Sequence, residues 1–208
     1  MSAPADTSGN IHSYLALGDS YTIGQSVAIS DRFPNQVVKI LQTDNIHISD
    51  PKIIATTGWT THNLIAALDA DPPQNNYSFV SLLIGVNNQY QGRSINEYKT
   101  EFTILLNRAI GYAGNNKSRV FVLSIPDYSV TPFAASSDTA RIAREIDAFN
   151  QVNKDISTSA GVKWIDITGI SREAKSDPLL IAGDGLHPSG KQYSRWANLL
   201  APLMKQAL

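Results

Sequence analysis

Tyr14-Leu15-Ala16-Leu17-Gly18-Asp19-Ser20-Tyr21-Thr22-Ile23-Gly24 is the stretch that decides the fold. An apolar run over residues 14–17 stops at Gly18, and a polar turn follows before a segment that can be helical. A short apolar run closed by glycine reads as a buried strand. A serine on the turn after such a strand sits at the strand's carboxyl end, where open α/β sheets place ligands and chemistry. Ser20 is therefore the first candidate for a working residue.

Outward from that strand, set at residues 13–17, the same alternation recurs. After an irregular connection over residues 25–31, Phe33-Pro34 precedes a helix at 35–42, since proline is favourable near a helix start. Residues 52–55 are a second strand, ending at Thr56-Thr57-Gly58, and Thr60 or Thr61 caps a short helix through Leu68. The third strand, 79–84, is nearly all apolar, as a strand buried on both faces must be. It ends at Gly85, and 86–92 read as a polar loop. Ser94 and Glu97 are spaced as a capping box ahead of a helix with the stripe Tyr98, Phe102, Leu105, Leu106 and Ile110. Strand four is 120–123, a long helix spans 138–160, and strand five is 162–167. A mobile loop is expected up to Pro188, then a second capping box at Ser189 and Gln192 opens a final helix. Strand and helix alternate five times, which predicts a five-stranded parallel sheet between helical layers, a three-layer α/β/α sandwich.

The bulk numbers narrow the function. At 208 residues the chain suits one domain with a full core, expected over residues 11–208. Charged residues are 17% and hydrophobic residues 42%, which is not the composition of a disordered chain. A net charge of −1 without a basic block argues against nucleic acid as a partner. There are no cysteines, so disulfides and a thiol nucleophile are excluded, while the compartment stays open. Residues 1–10 have neither basic residues nor an apolar core, so they are expected to be a flexible tail rather than a secretory signal. No stretch reaches the roughly 20 apolar residues of a membrane span. His12, His47 and His62 have no ligand spacing, so neither metal nor cofactor is expected.

The loops that follow the strands carry the chemistry. Gly18-Asp19-Ser20 follows the first strand, Gly58 the second, Gly85-Val86-Asn87 the third, and Asp184-Gly185-Leu186-His187-Pro188 lies in the last connection. A parallel sheet brings such loops to one rim. The rim then holds a hydroxyl, a glycine amide, a carboxamide, a carboxylate and an imidazole, which is the inventory for acyl transfer. Asp184 and His187, three residues apart, can share one turn, so the carboxylate accepts from one ring nitrogen and leaves the other to take the serine proton. Trp59 and Tyr90 flank this rim and are candidates to line an acyl or alcohol pocket.

With these residues in hand, the chain resembles the SGNH hydrolase (GDSL esterase/lipase) superfamily. The first block is carried by Gly18-Asp19-Ser20-Tyr21, the second by Gly58 in Ala55-Thr56-Thr57-Gly58-Trp59, the third by Gly85-Val86-Asn87-Asn88, and the fifth by Asp184 to His187. Each block is weak alone; four in order, after the right elements and across residues 12–203, are specific. The resemblance implies a flavodoxin-like fold and hydrolysis of small-molecule carboxylic esters. It implies Ser20 as nucleophile, His187 as base, Asp184 as orienter, and the amides of Ser20 and Gly58 with the Asn87 side chain as oxyanion hole. The chain departs from the family at Asn88, where aspartate is usual. The absence of a long apolar insertion or lid favours short-chain, aryl or acetyl esters.

Acyl-thioesterase or lysophospholipase activity would use the same site. A P-loop is excluded, because five residues separate Gly18 from Gly24 and Gln25 stands where lysine is required. Gly-x-Ser-x-Gly is broken at Thr22, against an ordinary α/β-hydrolase. A non-catalytic binding domain of the same fold would not need Asp184 and His187 at their spacing.

Overall fold

The computed structural model describes residues 11–208, so the tail expected over residues 1–10 lies outside the described residues. Its strands are β1 (Tyr14–Gly18), β2 (Lys52–Ala55), β3 (Phe79–Leu83), β4 (Val120–Leu123) and β5 (Lys163–Ile165). They pair in parallel in the order β2-β1-β3-β4-β5. Every residue of β1, β3 and β4 is buried, while the edge strands β2 and β5 each keep an exposed lysine. A parallel sheet has both faces covered by its crossover helices, so its inner strands must be apolar throughout. The polar exception, Ser81 in β3, bonds the Tyr14 hydroxyl at 2.7 Å.

The helices are α1 (Ser20–Ile23), α2 (Phe33–Thr43), α3 (Thr61–Ala70), α4 (Val86–Tyr90), α5 (Ile95–Tyr112), α6 (Thr139–Ala160), α7 (Thr168–Arg172) and α8 (Gly190–Gln206). α2 packs on α8, and α5 packs on both α3 and α6, making the layers of a three-layer flavodoxin-like sandwich. Phe33 of α2 meets Tyr193 and Trp196 of α8, with ring centroids 6.2 and 6.1 Å apart, and all three side chains are fully buried. Strand order 2-1-3-4-5 has its switch point between β1 and β3, where the chain runs off to opposite sides of the sheet and leaves a crevice above the strand ends. The loops carrying Ser20 and Asn87 flank that crevice.

Several expectations are corrected. The polar loop expected at 86–92 is helical over Val86–Tyr90. Gly85, at φ +132°, turns the chain sharply into it, and a β-carbon there would strike the Tyr98 ring. The connection expected to be mobile up to Pro188 contains α7 and short 3-10 turns at Glu173–Lys175 and Pro178–Leu180. Neither expected capping box closes. Ser94 caps Asn96 rather than Glu97, and Glu97 pairs with Arg93 at 2.7 Å. Ser189 does cap the Gln192 amide, but the Gln192 side chain donates to the Leu180 carbonyl instead of returning. The box that forms is Thr60 with Asn63, ahead of α3.

Candidate active site

Ser20 is the first residue of α1, only 4% exposed. β1 ends at Gly18, where a β-carbon would collide with the Thr22 side chain and the Leu83 carbonyl, so only glycine lets the chain turn here. Asp19 caps α1 by accepting from the Tyr21 amide at 3.0 Å. Burial pushes its carboxyl up to about 7, partly offset by the amide bonds it accepts.

The Asp184–His187 turn forms as its spacing requires. Asp184 Oδ1 accepts the amides of Leu186 at 2.9 Å and His187 at 3.0 Å, and Oδ2 lies 2.6 Å from His187 Nδ1. Oδ2 also accepts from Ser26 Oγ at 2.6 Å. Partial burial works to raise the Asp184 carboxyl, but hydrogen bonds from Ser26, His187 and the Leu186 amide outweigh it and hold the group well below the usual carboxylate range. The imidazole is largely buried, its ring 5.2 Å from that of Tyr21.

Gly58 sits in the loop after β2 at φ +82°, with open space where a side chain would be. Asn87, in the first turn of α4, donates Nδ2 to the Trp59 carbonyl at 3.0 Å. That bond uses one amide proton and fixes the carboxamide, leaving the second proton for another acceptor. Asn88 is fully buried and turned toward the start of α3. Its Oδ1 accepts the Thr61 amide at 3.0 Å, and its Nδ2 donates to Thr61 Oγ1 at 2.6 Å. The Thr61 hydroxyl in turn donates to Glu101.

One cleft of about 150 Å³ joins these residues. Ser20, Gly58, Asn87 and His187 line it, together with Tyr21, Thr57, Val86, Tyr90, Tyr128, Phe133 and Leu186. Tyr90, Tyr128 and Phe133 form an aromatic wall with centroids 6.1 to 6.4 Å apart. Tyr90, expected at the rim, is on the cleft. Trp59, also expected there, is not among the lining residues: its ring packs against the core and only its carbonyl serves the site, by holding Asn87. Among the described residues no hydrogen bond joins the Ser20 hydroxyl to the His187 ring; such bonds are commonly long before substrate binds. The sequence reading did not single out Tyr128 and Phe133, which line the cleft, or Ser26, which bonds Asp184; they lie on segments with no periodic or motif signal. Among the described residues no three His, Cys, Asp or Glu side chains are grouped to hold a metal, and no helix is long and apolar enough to cross a membrane.

Comparison with known proteins supplies a family model, described as the GDSL-like lipase/acylhydrolase family, which matches residues 16–195. A comparison with curated protein sequences gave no match. Among solved structures, a lipase/acylhydrolase from Enterococcus faecalis superposes with a TM-score of 0.71 at 15% identity, over 93% of this chain and 96% of that one. A psychrotrophic esterase from a Pseudoalteromonas species, in a form inhibited by monoethylphosphonate, gives 0.66 at 18% identity, over 94% and 96%. A variant of an acetyl xylan esterase from Geobacillus stearothermophilus gives 0.64 at 20% identity, over 93% and 96%. At these identities the likeness to the solved structures is one of fold.

Proposed function

The chain belongs to the GDSL-like lipase/acylhydrolase family, and on that premise we propose that it hydrolyses carboxylic esters through an acyl-enzyme on Ser20, within a single catalytic domain at residues 11–208. Ser20 Oγ attacks the ester carbonyl while His187 takes its proton. Asp184 holds the imidazole in the tautomer that leaves the other ring nitrogen able to accept. The negative oxygen of the tetrahedral intermediate lies against the amides of Ser20 and Gly58 and the free amide proton of Asn87. His187 then returns the proton to the leaving alcohol. Water, activated by the same ring, attacks the acyl-enzyme and releases the acid.

The observation that carries this reading is the 2.6 Å contact of His187 Nδ1 with Asp184 Oδ2 on the same cleft as Ser20. A cleft of about 150 Å³ with an aromatic wall suits a short acyl group and an ester with an apolar or flat portion, rather than a long lipid chain. A neighbour in fold is inhibited by a phosphonate, and the test uses the same chemistry. A fluorophosphonate probe is expected to label the protein at one site, and Ser20→Ala to abolish both labelling and hydrolysis of short nitrophenyl esters with the fold intact by circular dichroism. Turnover near wild type in purified Ser20→Ala would sink the assignment.

A further inference from the structure

Gln25 and Ser26 follow Gly24, the cap of α1, and each reaches into a different loop of the rim. Gln25 Oε1 accepts from Thr57 Oγ1 at 2.7 Å, next to Gly58. Ser26 Oγ donates to Asp184 Oδ2 at 2.6 Å, across 158 positions of sequence. The turn that presents them is itself anchored to the nucleophile: the amides of Gly24 and Gln25 both donate to the Ser20 carbonyl. Ser26 holds φ +67°, a conformation that non-glycine residues seldom adopt and that is found where surrounding contacts impose it.

We propose that the Gln25–Ser26 turn is a positioning device that ties the Ser20 segment to the loop of Gly58 and to the carboxylate of Asp184. The proposal rests on the ester-hydrolase reading of Ser20, Gly58, Asn87, Asp184 and His187. Of the four donors to Asp184, three come from its own turn: the amides of Leu186 and His187 and the imidazole. Those three would move with the turn if it shifted as a body. Ser26 alone refers the carboxylate to the element that carries the nucleophile, and it does so on the oxygen that faces His187. Gln25 ties the loop of Gly58 to the same element one residue earlier, through the Thr57 hydroxyl, and the Gly58 amide direction depends on a glycine conformation with no side chain of its own to hold it. Both residues are exposed and neither lines the cleft, so each acts through the residue that it holds.

The two bonds act on different parts of the reaction, and that separates positioning from general structural support. Removing the Ser26 hydroxyl leaves Asp184 Oδ2 with the imidazole as its single donor. The carboxylate then holds the protonated ring more tightly, and the acid limb of the kcat/KM profile moves to higher pH. Among the described residues, two further titratable groups feel the Asp184 charge, Tyr21 of α1 and Tyr193 of α8; burial raises both phenols, which stay protonated over the working range. Asp19, beside the nucleophile, is unaltered in every variant and cancels in the comparison with wild type. Removing Gln25 leaves the base untouched and loosens an oxyanion donor, so kcat falls with KM and the acid limb in place.

Ser26→Ala, Ser26→Gly and Gln25→Ala are compared with wild type and Ser20→Ala on a short nitrophenyl ester from pH 5 to 9. Ser26→Gly removes the hydroxyl in a residue that tolerates the positive φ, so agreement with Ser26→Ala separates loss of the bond from backbone strain. Each variant is expected to lose about three- to tenfold in kcat, the scale of one hydrogen bond. Both Ser26 variants should move the acid limb upward, and Gln25→Ala should not. Variants within twofold of wild type, an acid limb that stays or moves down in the Ser26 variants, or the same shift in Gln25→Ala, would each overturn the proposal. Hydrolysis by Ser20→Ala would instead overturn the ester-hydrolase reading beneath it, so the two failures are distinguishable.

Discussion

At Asn88 the chain has a carboxamide where its family usually has aspartate, and Thr61 supplies the reason. The Thr61 hydroxyl has one proton, which it gives to Glu101, so its oxygen needs a donor from residue 88. An aspartate there would leave two carboxylates competing for that proton in a buried site. Asn88→Asp is expected to lower stability by about 1–3 kcal/mol in urea titration, the cost of a buried polar group left unpaired. Glu101→Gln should restore it, by supplying the donor from the other side. A stable Asn88→Asp would show that Thr61 repairs the network without help. The neighbouring Asn87 has a different task in the proposed mechanism. Its free amide proton meets charge that exists only in the transition state, so Asn87→Ala should lower kcat by about 10²–10³ with KM little changed. Asn88→Ala should be much milder in turnover. Steady-state kinetics giving the opposite order would mean that the oxyanion donor is misassigned.

At the scale of elements, the rim depends on how each strand stops. β1 stops at a glycine with no room for a side chain, β3 stops two residues before Gly85, which lies under the Tyr98 ring, and β2 runs on to Gly58 through a looser loop. Gly58 differs from the other two because a β-carbon there meets nothing. Its requirement is the positive φ alone, which costs an L-residue about 1–2 kcal/mol. Gly58→Ala should therefore be well folded, with a stability loss of about that size, while kcat falls further than stability suggests, because a relaxed φ turns the peptide N–H away. Thermal melts beside kinetics check this, and unchanged kcat would remove the Gly58 amide from the proposed oxyanion hole. α4 belongs to the same scale. Its five residues read as loop because a single turn has no room for a periodic stripe, yet it places Asn87 on the cleft and Asn88 in the core.

For the whole molecule, the carboxyls of the rim set a pH dependence of stability with opposite signs. Asp19 has a folded pKa raised to about 7, against about 3.9 in an unfolded chain. Between those values the folded state keeps a proton that the unfolded state has lost, so stability falls as pH rises from about 4 to about 7. Asp184 is held well below the usual range, so its contribution is present above about pH 4 and is lost as pH falls toward its folded pKa. Melting temperature should then fall from about pH 4.5 toward neutrality. Asp19→Asn, which can still cap α1, should flatten that slope. An equal slope in wild type and Asp19→Asn would place the linkage elsewhere.

Residue order alone was enough for the strands and for the Asp184–His187 turn, though not for α4 or the expected capping boxes. Short apolar runs located β1 to β4 within about one residue, and for β1, β3 and β4 the reason is that burial on both faces leaves no other composition open to them. The Asp184–His187 turn was equally legible, since three residues bring the two groups together whatever the rest of the chain does. The four rim blocks pointed to one family before any contact was known. What tertiary structure decided is which exposed polar side chains meet. Strand order opens the crevice between β1 and β3, and only then do Gln25 and Thr57, or Ser26 and Asp184, face each other. Such pairs have no signature in sequence, because an exposed serine or glutamine fits any loop and a positive φ at Ser26 is not written in its residue type. Their partners are chosen by the path of the backbone, which the buried core sets from a distance.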